Sequence, residues 1–148
     1  MYPAQFEYHT PGTVKEALDL LGRHKDDAKL LAGGHSLLPA MKLRLAQPKH
    51  LVDLRKVSGL SGIKEEGGTL VIGAMTTHYQ VESSPVVKSK CPMLAAVAGQ
   101  IGDPMVRNMG TIGGSLAHAD PAADYPAAII ALGADMVAEG PKGRRTIK

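Results

Sequence analysis

The stretch Leu31-Ala32-Gly33-Gly34-His35-Ser36-Leu37 decides the fold, because it joins a short strand to a helix through two consecutive glycines. The strand is predicted over Lys29–Ala32, and Ser36 stands where it can cap the helix that follows. The apolar residues of that helix recur at helical spacing, namely Leu37, Met41 and Leu45. A glycine pair permits positive φ and lets a ligand approach the main chain with no Cβ in the way. The stretch is therefore a candidate binding loop.

Strands and helices alternate on both sides of this loop. Phe6–His9 is predicted as a strand, and Thr13 begins a capping box for a helix that Gly22 is expected to end. A third strand is predicted over Leu51–Leu54. Residues 1–55 are therefore expected to form a β-α-β-α-β subdomain.

A second subdomain is predicted over residues 56–148. It begins with a hairpin that turns at Gly67-Gly68. Three helices are then predicted to start at a capping residue or a proline: Thr77, Ser84 and Pro92. The stretch Asp103–Gly114 lacks helical periodicity and is predicted to be irregular, and a helix follows over Pro126–Leu132. The chain ends inside a last hairpin, so we expect it to be a fragment of a longer protein.

Composition excludes several classes of protein. With 148 residues, 44% of them hydrophobic, the chain is long enough for a core of its own. The single cysteine excludes a disulfide framework. No apolar run approaches the ~20 residues that span a bilayer, and no signal peptide is visible, so a cytoplasmic location is predicted. The net charge is only +3, and the basic residues are interleaved with acidic ones. Aromatic residues, on which bases could stack, make up only 3% of the chain, so nucleic-acid binding is not expected.

A second glycine motif, Gly110-Thr111-Ile112-Gly113-Gly114-Ser115-Leu116, repeats the order of residue types in the first. Exposed N–H groups and the hydroxyls of Ser36, Thr111 and Ser115 would make an anion site suited to the two phosphates of a dinucleotide. The alternative is that each glycine pair only makes a tight turn. The usual Rossmann and P-loop glycine patterns are absent.

The two motifs together resemble the FAD-binding subunit of molybdenum hydroxylases, in the xanthine dehydrogenase family and nearest its carbon monoxide dehydrogenase branch. The likeness rests on Ala32–Pro39, Met41–Arg44 and Gly110–Pro121 and extends over the whole chain. It implies an α+β fold of two FAD-binding subdomains, the PCMH type shared with vanillyl-alcohol oxidase and peptidoglycan-precursor reductase. The family's C-terminal domain is expected to be absent, and the second subdomain incomplete at its C-terminal end.

The resemblance also implies which residues bind FAD. The first loop contributes Ala32, Gly33, Gly34, His35 and Ser36, with Leu37 at its edge. The second motif contributes Thr111, Ile112, Gly113, Gly114 and Ser115. Ile101 matches an apolar position that touches the cofactor, and Asp124 matches an acidic position that binds the adenosine half. A carboxylate is a sound acceptor for ribose hydroxyls, but Asp124 is equally placed to cap the helix at Tyr125-Pro126.

Other reactive side chains have simpler interpretations. His35 and His118 have no second ligand at metal spacing, so no metal site is predicted. Cys91 is expected to be a small packed side chain. Met105 and Met109 flank the second motif. No catalytic acid or base is predicted, because the redox chemistry would belong to the cofactor.

The resemblance implies an oxidoreductase subunit that transfers electrons. A large molybdenum-cofactor subunit and a small iron–sulfur subunit would be its partners, and its FAD would pass electrons to an external acceptor. A non-catalytic interaction domain and a stand-alone flavin oxidoreductase of the same fold are the alternatives. As a fragment, the chain is expected to bind FAD weakly or not at all and to self-associate through the strand edge at Arg144–Ile147.

Overall fold

The computed structural model describes all 148 residues, which form a mixed fold of strands and helices. The seven strands are β1 (Glu7–His9), β2 (Ala28–Leu31), β3 (His50–Asp53), β4 (Ile63–Glu66), β5 (Thr69–Ile72), β6 (Met136–Gly140) and β7 (Gly143–Ile147). The eight α-helices are α1 (Val14–His24), α2 (Leu37–Lys42), α3 (His78–Ser83), α4 (Pro85–Lys90), α5 (Pro92–Gln100), α6 (Pro104–Met109), α7 (Ile112–His118) and α8 (Asp124–Ala131). No helix has both the length and the apolar character needed to cross a membrane.

The first sheet is parallel, with strand order β1-β3-β2. Helices α1 and α2 connect its strands, so the predicted β-α-β-α-β order is present. The middle strand β3 is buried at Leu51, Val52 and Asp53, as expected for a strand with a neighbour on each side. The loop that carries the first glycine motif leaves the carboxyl end of β2.

Two predicted features of this first unit are wrong. Gly22 does not end α1, which continues to His24 and is followed by Lys25 at φ 47°. Leu45 lies beyond the end of α2 and is 80% exposed, so it does not share a buried face with Met41. The Thr13 cap is present, and its hydroxyl accepts from the N–H of Glu16 at 3.2 Å.

The second unit is mainly helical and contains the largest cluster of buried side chains. The cluster comprises Val81, Val87, Leu94, Ala95, Ala98, Ile101, Ile112 and Tyr125. Helices α3, α4 and α5 begin at the predicted positions. Thr77 and Gln80 form a reciprocal capping box, and the Ser84 hydroxyl accepts from the N–H of Val87 at 3.3 Å.

The prediction of an irregular stretch over Asp103–Gly114 is wrong. It contains α6 and the start of α7, separated by Gly110 and Thr111. Asp103 caps α6 by accepting from the N–H of Val106 at 2.9 Å, and Pro104 supplies the first helical residue. Both helices are too short for periodicity to reveal them. The antiparallel hairpins β4-β5 and β6-β7 are present as predicted.

Candidate functional site

The first glycine motif forms a loop between β2 and α2. Gly34 has φ +78°, a conformation that side-chain-bearing residues rarely adopt. The Nδ1 atom of His35 lies 3.1 Å from the carbonyl oxygen of Gly33, and because a carbonyl only accepts, Nδ1 carries the proton. Ser36 occupies the N-cap position of α2, but its hydroxyl makes no capping hydrogen bond. Ser36 is therefore at the predicted N-cap position, but the expected side-chain cap is not formed.

Several backbone N–H groups of this loop have no acceptor within the chain. The N–H groups of residues 33–37 donate no hydrogen bond to another group of the chain, whereas the N–H of Leu38 donates to the carbonyl of Gly34 at 3.0 Å. Successive N–H groups around a residue with positive φ form a concave set of donors that suits an anion with several oxygens. Ser36 and His35 are both exposed beside these donors.

The second glycine motif is built differently, because its donors are used within the protein. Ile112 and Gly113 donate to the carbonyl oxygens of Thr76 and Ala74 at 3.0 and 2.9 Å. Gly114 donates to the hydroxyl of Thr111 at 3.1 Å, so Thr111 is the N-cap of α7. The expectation that both motifs offer free N–H groups is therefore wrong for residues 112–114.

The two motifs pack directly against each other. A Cβ atom on Gly33 would lie 2.6 Å from the Cα of Gly110 and would also collide with the carbonyl of Met109. A Cβ on Gly114 would lie 3.3 Å from the Cβ of Ala32. Gly33 is therefore required by close approach of two chain segments, and Gly34 by the turn. The structure thus joins the two predicted halves of the site into one surface.

A third segment, residues 74–78, supports this junction from the other side. Thr77 and Thr111 form an isolated antiparallel bridge, and the N–H of His78 donates to the carbonyl of Gly110 at 3.0 Å. A Cβ on Gly113 would lie 2.5 Å from the Cβ of Ala74, so the segments touch at the backbone. From the sequence, this segment was predicted only as the start of a helix, not as a contact of the second glycine motif.

His78 is the buried polar residue at the centre of the junction. It is 5% exposed, its Nδ1 lies 3.3 Å from the hydroxyl of the fully buried Tyr125, and its Nε2 would be 2.6 Å from a Cβ on Gly110. Burial, and then the nearby charge of His35, lower the pKa of His78 to about 4, although Asp124 opposes the shift. Burial also raises the pKa of Tyr125. His78 is therefore a neutral imidazole at neutral pH.

The remaining predicted residues lie around this junction in different settings. Ile101 and Ile112 are in the main core, 9% and 6% exposed. Asp124 is exposed as the first residue of α8, whose N-cap is Ala123, so the capping alternative for Asp124 is wrong. Ser115 is half-buried in α7 and Leu37 is half-buried at the start of α2. No sequence motif indicated His78, because its partners Gly110 and Tyr125 are remote in the sequence.

Four other residues singled out in the sequence lie outside the predicted FAD-binding set. Met105 and Met109 lie on α6 and are 75% and 46% exposed. His118 is the exposed last residue of α7, and Cys91 is half-buried between α4 and α5.

Comparison with known proteins identifies relatives over nearly the whole chain. The family model described as FAD binding domain in molybdopterin dehydrogenase matches residues 4–148. The carbon monoxide dehydrogenase medium chain of Hydrogenophaga pseudoflava is 58% identical over 99% of this chain and 51% of its own length. The medium chain of the same name from Afipia carboxidovorans is 48% identical, again over 99% of this chain and 51% of its own length.

Solved structures agree with these sequence relatives. Carbon monoxide dehydrogenase from Hydrogenophaga pseudoflava, solved without the Mo-pyranopterin moiety of its molybdenum cofactor, contains a chain that superposes with a TM-score of 0.98 at 58% identity. The match covers 99% of this chain and 51% of that chain. The chain thus spans about half the length of the curated relatives that it matches.

Proposed function

Because the chain belongs to the family of FAD binding domains in molybdopterin dehydrogenase, we propose that it holds FAD at the junction of its two glycine motifs. FAD is the cofactor of this family. The observation that carries the proposed position is the run of N–H groups over residues 33–37 that donate to nothing in the chain. These donors fit the diphosphate of FAD, because phosphate oxygens accept several hydrogen bonds at once.

The residues of the site have different proposed roles. The first loop binds the diphosphate through its backbone, and the exposed Ser36 hydroxyl and His35 ring lie beside it. The second motif shapes the surface against which the loop is packed, through Thr111 and Gly114. The exposed carboxylate of Asp124 is a suitable acceptor for the ribose hydroxyls. The complete proposed set is Ala32, Gly33, Gly34, His35, Ser36, Leu37, Ile101, Thr111, Ile112, Gly113, Gly114, Ser115 and Asp124.

The proposed activity is electron transfer within a molybdenum-containing hydroxylase or dehydrogenase of the carbon monoxide dehydrogenase type. FAD, when bound, supplies the redox chemistry, receiving electrons from iron–sulfur clusters and giving them to an external acceptor. The chain's own residues bind and orient the cofactor, and none is needed as a catalytic acid or base. The relatives are named medium chains, which supports a large molybdenum-cofactor subunit and a small iron–sulfur subunit as partners.

Two finer assignments remain part of the proposal. We assign the fold to the PCMH type, with the division between the FAD-binding subdomains near residue 55. The parallel sheet before this point and the helical core after it support the division. The cytoplasmic location predicted from composition stays a prediction.

A charge placed in the donor loop tests the position of the cofactor. Ser36→Asp puts a carboxylate beside the N–H groups of residues 33–37, where like charge opposes the diphosphate. Two unit charges about 4 Å apart near a protein surface repel by up to roughly 4 kcal/mol. We expect FAD affinity, followed by flavin fluorescence, to fall at least ~10-fold, which corresponds to ~1.4 kcal/mol.

Ser61→Asp is the matched control, since Ser61 is exposed outside both motifs and the charge change is the same. Circular dichroism of both variants checks that the fold is unchanged. Equal FAD affinity in the two variants would remove the donor loop from the site. The partner proposal is tested by purification from the native source, where flavin, iron and molybdenum are expected to elute together.

A further inference from the structure

Three histidines from distant parts of the chain meet beside the parallel sheet. His9 is the last residue of β1, His24 the last residue of α1, and His50 the first residue of β3. All three are half-buried. One ring nitrogen of each histidine lies within 4.8 Å of a ring nitrogen of the other two. No residue of the two glycine motifs belongs to this cluster. No local spacing in the sequence indicates this cluster, because its three histidines lie far apart along the chain.

The strand register explains why the cluster forms. Glu7 and His9 are two residues apart on β1 and therefore share a face of the sheet. In the parallel pairing, Glu7 is the register partner of His50, which brings both β1 residues beside the first residue of β3. Helix α1 then places His24 on His50, with ring centroids 3.6 Å apart and an interplanar angle of 26°. The carboxylate of Glu7 lies at the edge of the cluster.

The separations between these atoms match those of a tetrahedral zinc shell. His9 Nε2 and His50 Nδ1 are 3.2 Å apart, His50 Nδ1 and Glu7 Oε2 are 3.4 Å apart, and His9 Nε2 and Glu7 Oε2 are 3.9 Å apart. Zinc bonds of about 2.0–2.1 Å at tetrahedral angles put neighbouring ligand atoms about 3.3 Å apart. We propose that His9, His24, His50 and Glu7 form a zinc site.

The ligand types of the cluster favour zinc. Three imidazole nitrogens lie within 4.8 Å of one another, and the carboxylate of Glu7 lies beside two of them. Imidazole suits zinc better than it suits magnesium or calcium, and the carboxylate of Glu7 adds negative charge. Four protein ligands leave no open position, which is typical of a structural zinc site.

Such a site would fasten β1, α1 and β3 to one another. Its ligands lie on β1, at the end of α1 and at the start of β3, so zinc bound to the folded state stabilises this unit by mass action. Without a metal, the contact between His9 and His50 is an N–H···N hydrogen bond, and the three rings merely stack. The two descriptions differ in whether added zinc binds with defined stoichiometry.

Zinc titration of the tag-free chain tests the proposal, with Co²⁺ as a spectroscopic probe. After treatment with EDTA and removal of the chelator, calorimetry is expected to show one Zn²⁺ per chain and a rise in melting temperature. Co²⁺ is expected to give the intense visible absorption of a tetrahedral site. His24→Gln and His50→Gln are expected to weaken Zn²⁺ binding at least ~10-fold and to abolish that absorption. Glu7→Gln is expected to weaken it by a smaller factor, because one ligand charge is lost.

His118→Gln is the matched control, since it removes an exposed histidine outside the cluster and outside the proposed FAD site. Circular dichroism without metal identifies any ligand variant that fails to fold, and Glu7→Gln changes a largely exposed side chain, so at least one variant is informative. Absence of stoichiometric binding, or an equal loss of Zn²⁺ affinity in the His118→Gln control, would overturn the zinc site. The titration contains no flavin, so its result is independent of the proposed FAD function.

Discussion

Protonation of His78 is expected to open the junction between the two glycine motifs. Its imidazole is 5% exposed, touches Gly110 and faces the hydroxyl of Tyr125. The pKa of His78 is about 4 in the folded chain against 6.5 in the reference state. Between these values the unfolded chain binds the extra proton and the folded chain does not. Stability is therefore expected to fall as the pH is lowered through this window.

The size of the effect follows from the two pKa values. Each unit of difference between folded and unfolded states is worth ~1.4 kcal/mol when fully expressed. Between about pH 7.5 and about pH 5 the unfolded His78 becomes almost fully protonated while the folded residue stays mostly neutral. The expected loss of unfolding free energy from this group is roughly 2 kcal/mol.

Urea denaturation followed by circular dichroism measures this loss, with EDTA present to keep metals from the histidine cluster. His78→Asn removes the titrating group but keeps a polar atom toward Tyr125. The variant is expected to be less stable than the parent at about pH 7.5 and to lose roughly 2 kcal/mol less on acidification. His118→Asn, which changes an exposed histidine, controls for the general loss of an imidazole. If His78→Asn loses as much stability as the parent, then His78 is not buried as a neutral ring.

Three further changes test the packing. Gly33→Ala is expected to cost about 1–3 kcal/mol of unfolding free energy in urea denaturation, because its Cβ meets the backbone at Gly110; no loss would contradict the contact. Gly22→Ala, inside α1 with nothing within 4 Å of the added Cβ, is expected to stabilise by about 0.5–1 kcal/mol; destabilisation would show that α1 ends at Gly22. Burial opposes ionisation of Asp53, but hydrogen bonds from Arg55 and Tyr8 outweigh it and hold the Asp53 pKa below its usual value. Asp53→Asn is therefore expected to cost about 2 kcal/mol at neutral pH and to flatten the loss of stability below about pH 4, as acid titration followed by circular dichroism will show.

Much of the fold was predictable because its signals are local. The capping pairs at Thr13 and Thr77 and the prolines at Pro85 and Pro92 fix helix starts with the chemistry of a few neighbouring residues. Comparison with known proteins confirms the family and the FAD cofactor that the two glycine motifs indicated. The alternation of strands and helices in residues 1–55 was predicted, whereas the spatial strand order β1-β3-β2 was not.

The errors have equally physical causes. Gly22 was expected to end α1, but a glycine inside a helix costs only ~1 kcal/mol, which tertiary packing outweighs. Helices α6 and α7 are six and seven residues long, too short for any apolar period to appear. The role of His78 depends on contacts with Gly110 and Tyr125, 32 and 47 residues away, and no local pattern encodes these. The histidine cluster was missed for the same reason.

The two glycine motifs are similar in sequence but differ in how their backbone N–H groups are used. Substitutions in them are therefore expected to affect cofactor affinity and folding stability to different degrees. In the first motif the backbone N–H groups donate to nothing in the chain, whereas in the second they donate to residues 74 and 76 and to the hydroxyl of Thr111. Gly33 belongs to both functions, since it carries one of the free N–H groups and meets the backbone of the second motif. If the donor loop binds the diphosphate as proposed, a change at Gly33 is expected to lower both stability and FAD affinity, whereas a change at Ser36 is expected to act mainly on FAD affinity. The asymmetry also explains why the second motif needs glycine at 113 and 114 even though neither offers a donor: a side chain there would push α7 away from Ala74 and Ala32, and with it the surface on which the donor loop rests.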